Sequence, residues 1–136
     1  MPKPKFIGEV EARWLSDGRK MKLLKEVIFV DSKNREWKAP VGSVIDGASI
    51  PRELWSMTGS PFVGKYRRAS VIHDVACVER TQPHKLVHYA FYEAMLCDRV
   101  PTSKAKLMYV TVRDLGPKWD ENGKDLPPDD DWDDDF

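Results

Sequence analysis

The spacing of apolar residues changes from two to about three and a half near the middle of the chain, and this divides it into a strand-forming and a helix-forming half. From Phe6 to Leu15 the positions Phe6, Gly8, Val10, Ala12 and Trp14 alternate loosely with Ile7, Glu9, Glu11 and Arg13. That period predicts a half-exposed strand. Ser16-Asp17-Gly18 marks a turn, and Met21 to Val30, ending in Val27-Ile28-Phe29-Val30, predicts a second, more buried strand. Asp31-Ser32-Lys33-Asn34 makes the next turn, and Glu36 to Val41 a third strand with Trp37 on one face.

Past Val41 the pattern becomes helical. Pro51 opens a short segment, PRELWSM, with Ser49 placed to cap it. Lys65 to Arg80 presents Ala69, Ile72, His73, Ala76 and Cys77 on one side. Between Pro83 and Asp98, Val87, Phe91 and Met95 recur every fourth residue, widened by Leu86, Ala90 and Ala94. Thr102 to Leu115 turns Ala105, Met108 and Val112 inward and stops at Gly116-Pro117. The expected fold is therefore α+β: a small three-stranded antiparallel sheet followed by three main helices. Residues 1–116 form one domain in this reading. Residues 117–136 hold too few apolar side chains to repay ordering and are expected to be a flexible acidic tail.

Charge sharpens that division. The chain has 136 residues, with 22 acidic against 22 basic ones. Nine of the acids and two of the bases lie beyond Gly116, so a body of +7 carries a tail of −7. No apolar run approaches the roughly 18 residues of a membrane helix, and MPKPKFIGEV lacks the core of a signal peptide. Cys77 and Cys97 have no CxxC spacing and read as small buried hydrophobes. The basic residues of the body lack an organising aromatic motif, so a solvated surface is expected rather than a nucleic-acid interface.

Three groups of residues suggest chemistry. His73-Asp74 on one helix puts a base and a carboxylate about 100° apart, facing neighbouring surfaces. Asp46 stands in a DGAS turn at the sheet-to-helix crossing; it is a candidate for a catalytic part beside His73 and Asp74, or for bonding buried amides of the turn. Ser49 is a possible nucleophile, although no GxSxG elbow surrounds it. His84 and His88, four apart on one helix face, could present two imidazoles to a metal with His73 as third ligand. The divalent ion would be zinc or calcium. The alternative for His73 is a core histidine bonded to Asp46 or to a carbonyl.

The strings DGASIPRELW, IHD, HYAFYEAM and MYVTVR, in that order, resemble domain-of-unknown-function family 1353, a group of small phage and prophage proteins. The resemblance covers roughly residues 5 to 116. It implies a phage or prophage origin, a place in the virion or the bacterial host cytoplasm, and a site at Asp46, His73 and Asp74. The family usually has aspartate where His88 stands. The His-Asp pair with a group from a second helix also resembles the layout of secreted phospholipases, with His73 as base, Asp74 on calcium and His88 in the place of the orienting acid. The ending PPDDDWDDDF resembles the acidic tip of bacterial single-stranded-DNA-binding proteins. By that likeness Trp132, Asp133, Asp134, Asp135 and Phe136 would dock on a phage or host protein. The primary expectation is thus a phage accessory or virion-associated protein-binding module. The alternative is a small metal-assisted hydrolase using the His-Asp site.

Overall fold

A break at Leu24-Lys25-Glu26 turns the strand-forming half into two sheets where the alternation pattern alone predicts one. These three residues are all exposed, whereas Met21 and Leu23 before them and Val27 and Phe29 after them are buried. The expected long strand therefore splits into β3 (Met21–Leu23) and β4 (Val27–Val30), one for each sheet. The structure, a computed structural model, describes residues 3–47, 49–55 and 64–127. Among these, β1 (Lys5–Ile7), β4 and β5 (Glu36–Ala39) form one antiparallel sheet in the order β1-β4-β5. The second antiparallel sheet joins β2 (Ala12–Trp14), β3 and β6 (Val44–Ile45) in the order β2-β3-β6. Register places Phe6 opposite Phe29 and Phe29 opposite Trp37, which stacks large rings across one face.

Asp31 builds the β4–β5 turn. Its carboxylate accepts from the Lys33 and Arg35 amides, Arg35 Nε and Trp37 Nε1, each at 2.9 Å. Burial pulls this carboxyl upward, and the bonds from Trp37, Arg35 and Lys33 outweigh it, so the net shift is downward.

Three helices cover the sheets: α1 (Arg67–Glu79), α2 (His84–Cys97) and α3 (Thr102–Leu115). α1 packs on β4 and β5 and against α2, and α2 packs against α3. The α+β class read from the pattern holds. Pro83 and Pro101 sit just before α2 and α3, and their carbonyls accept from Val87 and Ala105. Phe29, Phe91, Met95 and Met108 are fully enclosed. Each such side chain contributes about 1.5–3 kcal/mol by leaving water. Ser49 does not cap the segment after Pro51, where Arg52–Leu54 form a short 3-10 turn with no side-chain cap.

Residues 117–127, the described part of the expected flexible tail, are ordered on the body, and residues 128–136 lie outside the described residues. Pro117 to Pro127 folds back on the body as a flap, with an antiparallel bridge between Trp119 and Asp125. Trp119 is 3% exposed and donates from Nε1 to Gln82 O at 2.9 Å. Arg80 lies over its ring and bonds Gly123 O at 2.9 Å and Asp125 Oδ1 at 2.6 Å. One buried indole with a bonded N–H and a guanidinium lid holds the segment despite its acidity. Composition averaged over the tail hides a single residue of this kind.

Candidate functional site

The crossing loop, α1, α2 and the flap meet at a line of polar groups inside the core. His73 comes from the middle of α1 and His88 from the second turn of α2. Their rings are 1% and 0% exposed. His73 Nε2 lies 2.8 Å from His88 Nδ1, and His88 Nε2 lies 2.8 Å from Pro117 O. On the other side, Ser49 Oγ lies 3.1 Å from His73 Nδ1.

The proton positions along this line follow from its last member. A carbonyl only accepts, so His88 Nε2 carries its proton and donates to Pro117. Burial drives the His88 pKa down to about 4, with the Pro117 carbonyl pulling upward and His84 and Lys118 pushing further down. At neutral pH the ring is therefore uncharged, and its Nδ1 accepts. His73 must then donate from Nε2. Burial and His88 hold His73 well below its ordinary pKa as well, so its Nδ1 is a bare lone pair. That lone pair receives the Ser49 hydroxyl proton. One main-chain oxygen thus sets three side chains in the order Ser49→His73→His88→Pro117.

Asp74 faces the crossing loop. Its carboxylate accepts the Asp46 and Ser49 amides, each at 3.3 Å. It pins the loop that carries Ser49. Burial raises its pKa, hydrogen bonding from Ser49 lowers it, and Asp46 raises it again. Asp46 takes part in this tie through its own backbone N–H.

His73 and His88 converge as the metal reading expects, but His84 does not join them as third member. Its ring stands 6.1 Å from His88, beside Trp119. Cys77 takes the third place, with Sγ 3.6 Å from His73 Nε2. Potential ligand atoms of His73, Cys77 and His88 lie within 4.8 Å of one another. Cys77 follows His73 by one helical turn, and that i, i+4 spacing was the signal that could have found it. Pro117 O left no signal, because any residue has a carbonyl. Trp132, Asp133, Asp134, Asp135 and Phe136, the expected docking residues, lie outside the described residues.

Ser49 also reaches a cleft of about 390 Å³, lined further by Pro51, Leu115, Pro117, Lys118, Asp125 and Leu126. Its walls mix apolar side chains with one cation and one carboxylate. A side chain at Gly116 would strike the Val112 carbonyl, so glycine lets α3 deliver Pro117 to both cleft and His88.

A family model described as "Protein of unknown function (DUF1353)" matches residues 21–112. The chain belongs to that family. The DUF1353 match includes Ser49, His73, Cys77 and His88 and ends before the flap. Two proteins of Sinorhizobium fredii (strain NBRC 101917 / NGR234) are similar to it. "Uncharacterized protein y4jT" is 42% identical over 97 residues, 71% of this chain and 29% of that protein. "Uncharacterized protein y4iH" is 39% identical over 99 residues, 72% of this chain and 41% of that protein. The matched part of the chain thus spans less than half of either relative. No solved structure matches the chain. No helix among the described residues is long and apolar enough to cross a membrane.

Proposed function

We propose that this DUF1353 domain is a small acyl hydrolase in which Ser49 is the nucleophile, His73 its general base and His88 the positioning group. The observation that carries this reading is the continuous line Ser49 Oγ, His73 Nδ1, His73 Nε2, His88 Nδ1 at 3.1 and 2.8 Å, with Ser49 opening on the cleft. It keeps the hydrolase alternative of the sequence and moves the chemistry from the His-Asp pair to a Ser-His-His line. Asp74 and Asp46 then act through the loop they fix.

The step is nucleophilic acyl transfer. Ser49 Oγ attacks a carbonyl carbon, its proton passes to His73 Nδ1, and the carbonyl electron pair moves onto oxygen. Collapse expels the leaving group with the proton held by His73. Water then releases the acyl group by the same route. The imidazolium formed at His73 is supported through Nε2 by the His88 lone pair, weaker support than a carboxylate gives.

A fluorophosphonate probe tests the reading. Intact-mass and peptide analysis should place one adduct on Ser49, absent in Ser49→Ala and in His73→Gln. A folded wild-type protein that takes no adduct at Ser49 sinks it.

Burial favours a second reading. Ser49 is 6% exposed and both histidines nearly wholly enclosed, so the line would be a structural tie in a protein-binding module of phage or host partners. In that case the folded wild type takes no label at Ser49; in the first it does, and His73→Gln, which keeps the core filled, removes it.

A further inference from the structure

We propose that His73 Nε2, His88 Nδ1 and Cys77 Sγ form a binding site for a zinc-like divalent ion, and that the ion, when bound, removes His73 from its role as base. The first half stands on its own geometry. The second half rests on the hydrolase reading.

The donor set selects the metal. Two imidazoles and a thiolate suit zinc or cobalt, whereas calcium and magnesium require oxygen ligands, which none of the three offers. Ordinary Zn–N and Zn–S bond lengths at tetrahedral angles put two nitrogens about 3.3 Å apart and nitrogen and sulfur about 3.6 Å apart. Cys77 Sγ and His73 Nε2 already stand at 3.6 Å. The two nitrogens, at 2.8 Å, need to part by about half an ångström to meet that spacing.

The outward nitrogen of His88 is already held as metal-binding histidines require, donating to the Pro117 carbonyl. His73 Nδ1 lies 3.1 Å from the Ser49 hydroxyl, an oxygen that can accept once the His73 proton stands on Nδ1. Burial, and after it the Asp74 carboxylate, hold the Cys77 thiol protonated without metal. A divalent cation at Sγ would offset that, and the thiol proton would leave on binding.

The consequence for Ser49 is a matter of tautomers. A neutral His73 that spends its Nε2 lone pair on a metal carries its proton on Nδ1 instead. It then donates to Ser49 Oγ and has nowhere to receive the serine proton. His88 keeps the tautomer it has without metal. Binding thus relocates one proton, on the residue that the hydrolase needs as base.

Cobalt titration of the full chain, stripped with chelator and then reduced, tests the site without reference to activity. Expected are about one cobalt per chain, tetrahedral visible bands and a thiolate-to-cobalt charge-transfer band, unchanged in His84→Gln and lost in Cys77→Ser. A band that survives Cys77→Ser, or cobalt bound without one, overturns the site. Because Cys77→Ser acts in the core, zinc-edge absorption of the loaded wild type supplies a variant-free check. It should show one sulfur at about 2.3 Å; a shell of only nitrogen and oxygen overturns the proposal. Fluorophosphonate labelling with and without zinc then separates the two halves. At least tenfold slower labelling with zinc is expected. Equal labelling of zinc-loaded and zinc-free protein refutes the inhibitory half and leaves the site standing; failure of Ser49 labelling in both refutes the hydrolase reading alone.

Discussion

Replacing His88 with glutamine should remove most of one histidine's share of the acid sensitivity of this fold. Glutamine keeps a donor and an acceptor near Pro117 and His73 but cannot take up a proton. In the wild type, burial holds His88 near a pKa of about 4, against 6.5 for the free side chain. The unfolded chain therefore binds a proton in a range where the folded chain does not. Stability contributed by the neutral ring is complete above the unfolded value and is lost as pH falls toward the folded one. Integrated between pH 7 and pH 5, this amounts to about 2 kcal/mol for His88 alone. His73 is displaced in the same direction, and Asp74, raised by burial, works against both. Both groups are present in wild type and variant, and burial, the larger cause of the His73 shift, acts in each. Urea unfolding of chelator-treated protein, followed by tryptophan fluorescence at pH 7 and pH 5, supplies the measurement. His88→Gln should lose about 2 kcal/mol less than the wild type over that interval. Equal losses in the two proteins would refute a buried, neutral His88.

Three further expectations follow from other parts of the molecule. His88→Asp should speed fluorophosphonate labelling of Ser49 by about tenfold, since each unit added to the His73 pKa is worth 1.36 kcal/mol; it should also cost about 1–3 kcal/mol, because Pro117 O loses its donor. Unchanged labelling would show that His88 does not position His73. Trp119→Ala should destabilise the domain by about 3–5 kcal/mol, measured by chemical denaturation, and a shift under 1 kcal/mol would mean that the flap does not pack on the body. Asp31→Ala should cost about 3 kcal/mol at neutral pH by stranding the Trp37 N–H and two amides. The wild type should lose that advantage as pH falls below the ordinary carboxylate range, because the folded pKa of Asp31 is lowered and its stabilisation vanishes as the group protonates.

Periodicity made the helices legible. Thr102–Leu115 forms a helix with the bounds read from Pro101 and Gly116-Pro117, and α2 lies within one residue of its expected limits. The sheets were harder, because a run such as Met21 to Val30 carries branched residues through a break. Only the three successive exposed positions Leu24, Lys25 and Glu26 reveal it, and exposure belongs to the folded state. For the site, the sequence singled out His73, Asp74 and His88 by residue type, but not the directions in which they point. Ser49 reads from its local neighbours as a helix cap or a possible nucleophile, while the partner that decides its role lies 24 residues away. His84 shares a helix face with His88, yet Trp119 from the flap claims its ring. The spacing of side chains along one helix cannot report what a distant segment brings to it.

The Pro117 carbonyl has a further consequence for how this domain can be observed and altered. An oxygen of the main chain is common to every residue, so substitution at that position leaves it in place, and only moving the flap withdraws it. If the flap lifts, His88 is released from its enforced tautomer, and His73 and Ser49 are released with it. Ring nitrogen chemical shifts of His88 would thus act as a gauge of flap position, reporting a motion of the backbone through the place of a single proton.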